Sequence, residues 1–117
     1  MSVVAVILGR TYETYWGSAM ACYVVAHVAV TNLERYGDYV TAVLDQLAAV
    51  GGRVLAAGPA QTLEGEPMVN NNVVIEFPDE AVALAWFEGD AYRDVVPIRH
   101  EASASSQVGL VQSWPPQ

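Results

Sequence analysis

Residues 22 to 31 constrain the fold of this chain more than any other stretch. Cys22, Val24, Ala26, Val28 and Val30 are all apolar, while the opposite parity carries Tyr23, Val25, His27, Ala29 and Thr31. In an extended strand the two parities point to opposite faces, so one face packs on helices and the other mixes small apolar residues with polar groups. A sheet built on such a strand has one covered face and one bare face.

The next segment supplies the cover. Thr31 followed by Glu34 has the capping-box spacing, and Leu33, Tyr36, Val40, Val43, Leu44, Leu47 and Val50 recur at helical intervals. These signals predict a helix over about 32–50, stopped by Gly51-Gly52 because glycine tolerates a left-handed helix exit. Arg53 to Ala57 reads as a short strand, with a further extended piece near Gln61 to Leu63. Glu64 to Asn71 reads as a loop carrying Gly65 and Pro67, and Asn72 to Phe77 as the return strand. Pro78-Asp79 opens a second helix with Val82, Ala85 and Trp86 on its buried stripe. Gly89-Asp90 interrupts it, Asp90 caps a turn containing Tyr92, and Pro97 begins a third helical piece. Ser103 to Ser106 is expected to be a polar connector, Gln107 to Gln112 the last strand, and 113–117 an extended tail.

The element order is β-α-β-β-α-β. With right-handed crossovers this unit forms a four-stranded antiparallel sheet in the order 4-1-3-2, both helices lying on one face. The expectation is thus an α+β, ferredoxin-like domain. Residues 1–19 precede it as an extension in which Val3 to Leu8 is long enough for an extra strand, followed by the aromatic residues Tyr12, Tyr15 and Trp16. An edge strand, an arm swapped between subunits and a lid over a pocket all suit that extension.

Several stretches together resemble one family: Tyr23-Val24-Val25-Ala26, Val30 to Tyr36, Gly51 to Leu55, Thr62 to Gly65, and above all Val73 to Glu80 running on to Ala85-Trp86-Phe87, Ala91-Tyr92 and Pro97-Ile98-Arg99. This pattern is similar to the DUF1330 domains of the dimeric α/β-barrel superfamily, over residues 20–112. The resemblance implies a homodimer in which two bare sheet faces meet. It also implies kinship with isomerases, cyclases, decarboxylases and cofactor-free monooxygenases that use a pocket beside the sheet.

Composition narrows the function classes. The formal charge is −8, and the five basic residues are all arginine. Nucleic acid and anionic membrane surfaces are poor partners for such a chain, since phosphate binding needs clustered cations. Without lysine there is no Schiff-base lysine and no P-loop lysine. The single cysteine, Cys22, lies in the apolar strand and reads as a core residue; with no partner for a disulfide, a reducing cytoplasm is the expected compartment. Ser2 to Leu8 is too short to span a membrane and lacks the basic start of a signal peptide. Two histidines, His27 and His100, more than seventy residues apart make no metal signature, and no glycine-rich dinucleotide or nucleophile-elbow motif occurs. No metal or cofactor is expected.

Chemistry would come from polar side chains on the strands. Tyr23 and His27 share one parity, and Glu76 shares parity with Asn72 and Val74. Because the strands bearing them are neighbours in the 4-1-3-2 order, His27 and Glu76 are expected on the same polar face, an imidazole near a carboxylate. Such a pair works as a general base with its orienter, and it works equally as a buried hydrogen bond at a dimer interface. Arg99 or Tyr23 would stabilise developing negative charge. Arg53 is a candidate for binding substrate, as is Arg99, because a guanidinium holds a carboxylate or carbonyl through paired hydrogen bonds; either arginine also suits a salt bridge with Glu76, Glu101 or an aspartate. Tyr92, Trp86 and Tyr36 complete the candidate binding set, although aromatic residues at helical spacing also serve as core. His100 follows Arg99 on the helix and is expected to point elsewhere.

The leading expectation is a cofactor-independent isomerase, cyclase or lyase using acid–base catalysis on a small carbonyl or phenolic compound. A non-catalytic dimeric module that binds a ligand or a partner is the alternative from another class. A cofactor-free monooxygenase is the third.

Overall fold

Cys22, Val24, Val28 and Val30 of the apolar parity are buried, Ala26 and the opposite parity are only partly covered, and this strand thus has one covered and one open side. The computed structural model describes residues 2–7, 10–15 and 21–115, with side chains from residue 21 onward. Strands β1 (Ser2–Ile7) and β2 (Arg10–Tyr15) pair antiparallel as a two-stranded hairpin, separate from the main sheet. The extension therefore supplies a hairpin and adds no strand to that sheet. Its aromatic side chains at Tyr12, Tyr15 and Trp16 lie outside the described residues.

The main domain follows as β3 (Cys22–Val30), α1 (Leu33–Val50), β4 (Arg53–Gly58), β5 (Asn71–Phe77), α2 (Glu80–Glu88), α3 (Asp90–Glu101) and β6 (Ser103–Gln112). The sheet order is β4-β5-β3-β6, every pair antiparallel. This is the expected 4-1-3-2 arrangement read from the other edge, and the α+β ferredoxin-like fold is what the chain adopts.

Local chemistry explains most element ends and corrects some expectations. Helix α1 is capped by Asn32, whose Oδ1 accepts from the Arg35 N–H at 3.0 Å. Thr31 is not the cap; its hydroxyl donates to the Ala102 carbonyl. The Thr31 and Asn32 amides reach that same carbonyl at 2.9 and 3.1 Å, which ties the start of α1 to the end of α3. Gly51 ends α1 with φ of +77°, a left-handed exit that favours glycine. The buried stripe of α1 is Tyr36, Tyr39, Val43 and Leu47, whereas Leu33 is 79% exposed.

Asp79 caps α2 by accepting from the Val82 amide at 2.8 Å. Gly89 separates α2 from α3 where a Cβ would come within 2.8 Å of the Ala85 carbonyl oxygen, so only glycine fits without a shift. Asp90 starts α3 and does not cap it. Pro97 lies inside α3 and starts no third piece. It withdraws the N–H that would reach the Arg93 carbonyl, yet the helix runs on because Tyr92, Val96 and Arg99 bury one continuous face. Two other expectations fall: residues 61–63 belong to the loop, and Ser103 to Ser106 are the first part of β6.

The core lies between the sheet and the helices. Tyr92, Phe77, Leu47, Val28 and Cys22 are the largest of its fully buried side chains. Cys22 is a buried free thiol whose pKa is pushed up by burial, with Glu80 and Asp79 acting in the same direction. That is the behaviour of a packing residue.

Candidate functional site

Between α1 and the covered face of the sheet the packing leaves a cavity of about 320 Å³. Its floor is Val24, Ala26 and Val28 of β3, Val73 and Ile75 of β5, and Val108 of β6; Val40, Leu44 and Val54, all partly exposed, sit at its open side. The lining is apolar except at one end. There Tyr36 and Tyr39 from α1, Asn71 from β5, and Tyr92 and Arg99 from α3 contribute polar atoms, with Trp86 beside them.

Helical spacing brings these groups together. Tyr92 and Arg99 are seven residues apart on α3, two turns along one face. The Arg99 Nη1 donates to the Tyr92 hydroxyl at 2.5 Å. The Tyr92 and Tyr39 hydroxyls are 2.6 Å apart and share a hydrogen bond. Asn71 Nδ2 donates to the Tyr36 hydroxyl at 2.9 Å. The rings of Tyr39 and Tyr92 meet edge to face at 6.2 Å, and Trp86 packs on Tyr92 at 4.3 Å. Trp86 is held in place by its indole N–H, which donates to Gln46 Oε1 at 3.0 Å.

Arg99 is the unusual member. It is only 6% exposed, and no carboxylate pairs with it among the described residues. Its Nη2 contacts His100 Nε2 at 3.2 Å, which in a hydrogen bond makes that nitrogen the acceptor, and its Nε is buried with no partner among the described residues. A guanidinium keeps its charge at any physiological pH. An isolated buried charge carries a desolvation penalty of several kcal/mol, roughly, unless something compensates it.

The neighbouring phenols do not supply the missing negative charge. Burial pushes Tyr92 well above the ordinary tyrosine range, Tyr39 pushes the same way, and Arg99 only partly opposes them. Tyr36 is also raised, by burial first and then by Tyr39, against the lowering influence of Asn71 and Arg99. At neutral pH these hydroxyls stay protonated, so each keeps a proton to donate besides accepting from Arg99 or Asn71. The polar end of the cavity is therefore rich in donors and poor in acceptors.

The bare face of the sheet carries the other candidates and arranges them differently from expectation. His27 and Glu76 do lie on one face, but the register pairs Tyr23 with Glu76 and His27 with Asn72. Four residues of strand, roughly 13 Å, separate the imidazole from the carboxylate. His27 Nδ1 instead makes a 2.7 Å hydrogen bond to Asn72 Oδ1. Arg53 Nε donates to Glu76 Oε1 at 2.9 Å, so Arg53 takes the salt-bridge role and lies away from the cavity. The Tyr23 phenol is pushed up by burial and then by the facing Glu76 carboxylate. The sheet stands between all four and the cavity. His100 is exposed as expected, yet it touches Arg99 and does not point away from it.

Of the eight candidates, Arg99, Tyr92, Trp86 and Tyr36 thus meet around one cavity; His27, Glu76, Tyr23 and Arg53 do not reach it. Tyr39, an aromatic residue open to the same core-or-site doubt as Tyr36, joins the first group, and so does Asn71, which the sequence reading did not single out. The run Asn70-Asn71-Asn72 was the available signal for Asn71, because successive asparagines entering a strand must find partners on alternate sides. Asn70 bonds the backbone of Val30 through both its oxygen and its nitrogen, Asn71 reaches Tyr36, and Asn72 holds His27 and the carbonyls of Val69 and Gly58.

Among the described residues no group of three or more His, Cys, Asp or Glu side chains is placed to hold a metal ion. No helix among them is long and apolar enough to cross a membrane.

The profile of DUF1330, a domain of unknown function, matches residues 21–113. The chain belongs to the DUF1330 family. Its fold is similar to that of RPA0582 from Rhodopseudomonas palustris, a protein of unknown function, at 19% identity and a TM-score of 0.71, covering 84% of this chain and 85% of that one. A dimeric ferredoxin-like protein of unknown function from Thermobifida fusca is similar at 16% identity and a TM-score of 0.61, over 87% of this DUF1330 chain and 99% of its own. A mutant form of SnoaB, a cofactor-independent oxygenase from Streptomyces nogalater, is similar at 14% identity and a TM-score of 0.51, over 83% and 99%. At such identities the likeness carries the fold. No curated protein matches the sequence.

Proposed function

We propose that this DUF1330 protein takes a small, largely apolar carbonyl or phenolic compound into the cavity and activates it without a cofactor. Arg99 and the Tyr36 and Tyr39 hydroxyls stabilise negative charge developing on the substrate oxygen, as an isomerase, cyclase or lyase step requires. A single observation carries this reading: Arg99 is buried at the polar end of an apolar cavity, with Nε unpartnered and no carboxylate beside it. The cavity volume falls at the lower end of the roughly 300–1,000 Å³ typical of ligand pockets. The protein works as a homodimer in the cytoplasm, its bare sheet faces paired; the part-apolar character of Tyr23, Val25, Val74 and Val111 on that face supports the pairing.

A second reading, a dimeric module that binds its ligand without transforming it, is favoured by one specific observation. Among the described residues no carboxylate or imidazole lines the cavity, which leaves the phenols or water at the open side to receive a proton from the substrate. An oxygenase activity, as in the similarly folded SnoaB, is the third reading.

Deuterium exchange separates the readings. Small ketones, enols and phenols are incubated with the protein in deuterated buffer, with exchange at their acidic C–H positions followed by NMR, binding by calorimetry and oxygen uptake by electrode. Catalysed exchange that is lost in Arg99→Met supports the enzyme. Binding without exchange leaves the ligand-binding module, oxygen uptake the oxygenase, and no binding by any compound overturns the cavity as the site.

A further inference from the structure

Charge balance in the cavity specifies its ligand more closely. We infer that the molecule is a small organic carboxylate, an oxo acid or a hydroxyaryl acid, whose carboxylate pairs with Arg99 while its second oxygen meets the Tyr36 and Tyr39 hydroxyls. This rests on the cavity being the functional site and refines the part Arg99 plays there.

A ketone and a phenol are both uncharged at neutral pH, because the phenol titrates near ~10 and the ketone does not titrate. Neither gives the Arg99 guanidinium a counter-ion. Among the described residues none is supplied: no salt bridge there includes Arg99, and the raised phenols of Tyr92 and Tyr36 hold their protons. The Tyr39 ring, 5.9 Å from the guanidinium carbon, offsets part of the charge, and a ligand carboxylate supplies the rest. A carboxylate does this with geometry as well as charge, since its two oxygens match two N–H groups of one guanidinium, and Arg99 lines the cavity.

The remaining donors then have a different task. Tyr92 accepts from Arg99 and shares a hydrogen bond with Tyr39, so the chain of hydroxyls leaves a phenol proton to donate onward. Tyr36 already accepts from Asn71, and its own proton is the one it has left to offer. Two phenolic donors beside a guanidinium suit a second, neutral oxygen on the same molecule. The apolar floor of Val24, Ala26, Val28 and Val73 takes the hydrocarbon or ring between them.

The test uses a pair of probes that differ only in charge: 4-hydroxyphenylacetate and 4-hydroxyphenylacetamide, titrated calorimetrically into the full chain at pH 7.5. The acid is expected to bind at least roughly tenfold more tightly than the amide, the scale of one charge-assisted pairing. In Arg99→Met the acid loses that advantage, so that acid and amide bind alike within about threefold. Equal affinity of acid and amide in the wild type overturns the carboxylate inference and leaves the cavity reading intact. Absence of binding by both probes overturns both. Inorganic phosphate or chloride competing as strongly as the acid shows a general anion site and overturns the organic carboxylate. If Arg99→Met does not fold, the wild-type ratio decides the matter alone, and Arg99→Lys, which keeps the charge but loses the fork, is expected to retain only part of the preference.

Discussion

The two faces of this sheet carry similar polar inventories and put them to different uses. On the bare face the candidate groups lie beside one another: His27 is bonded to Asn72, Arg53 to Glu76, and Tyr23 stands opposite Glu76. On the covered face Arg99 is buried deeper than any of these groups, yet one of its nitrogens has no partner and no carboxylate answers its charge. Satisfied polar groups describe a surface that is finished, or that awaits only a matching apolar surface. An uncompensated buried charge describes a site that awaits a ligand. The contrast teaches that polarity on an unexpected strand parity is a weaker pointer to function than a charge whose pairing is incomplete.

Substitutions that exchange the two faces break this comparison most severely. Val28, 1% exposed, lies under the helices, and Val28→Asp is expected to abolish cooperative folding, because a carboxylate there has no partner. Val25→Asp, on the bare face, should leave the circular dichroism of the fold unchanged and convert the proposed dimer to monomer in light scattering. A folded Val28→Asp protein would contradict the assignment of faces.

Tyr92 comes next. Tyr92→Phe removes the hydroxyl that joins Arg99 to Tyr39, and a loss of about 1–3 kcal/mol in denaturant unfolding is expected for the groups left unpaired. The same residue governs behaviour at high pH. The pKa values of Tyr92 and Tyr36 are raised in the fold, so the native state holds protons that the unfolded chain gives up near pH ~10. Their contribution is fully present below that pH and is lost as pH rises beyond it. Tyr92→Phe should flatten the decline above pH ~10; an unchanged slope would show that the buried phenols do not govern it.

The smallest expected effect belongs to Arg53. Its guanidinium side chain is 71% exposed, and Arg53→Ala should cost less than about 1 kcal/mol in the same unfolding assay, as exposed ion pairs do. A larger loss would mean that a partner surface covers this pair in the native assembly.

Much of the fold was legible in the sequence because strand parity, helical spacing and glycine exits are local signals. The order of elements, the 4-1-3-2 sheet and the Gly51 exit all follow from them. Errors arose where a tertiary contact overrode a local pattern. Leu33 has the right spacing for the buried stripe and lies exposed, while Tyr39 enters that stripe because its hydroxyl meets Tyr92, fifty-three positions away. Pro97 looked like a helix start and sits mid-helix, held by the buried face of Tyr92, Val96 and Arg99. At the site, parity placed His27 and Glu76 on one face but not at one register position, and only the observed pairing separates them. The cavity itself was not legible, since it is a gap between elements and belongs to no segment.

Asn71 and Asn72 offer the most direct measurement of which face binds. They are adjacent in sequence, and their side-chain amides lie on opposite sides of the sheet, one on the Tyr36 hydroxyl at the cavity and the other near His27. A titration of isotope-labelled protein with 4-hydroxyphenylacetate reads both amides, together with the Arg99 Nε–H, in one NMR spectrum. The account predicts that the Asn71 amide and the Arg99 Nε–H shift in parallel with saturation while the Asn72 amide stays in place. A shift at Asn72 with Asn71 and Arg99 unmoved would contradict it and return the site to the bare face around His27.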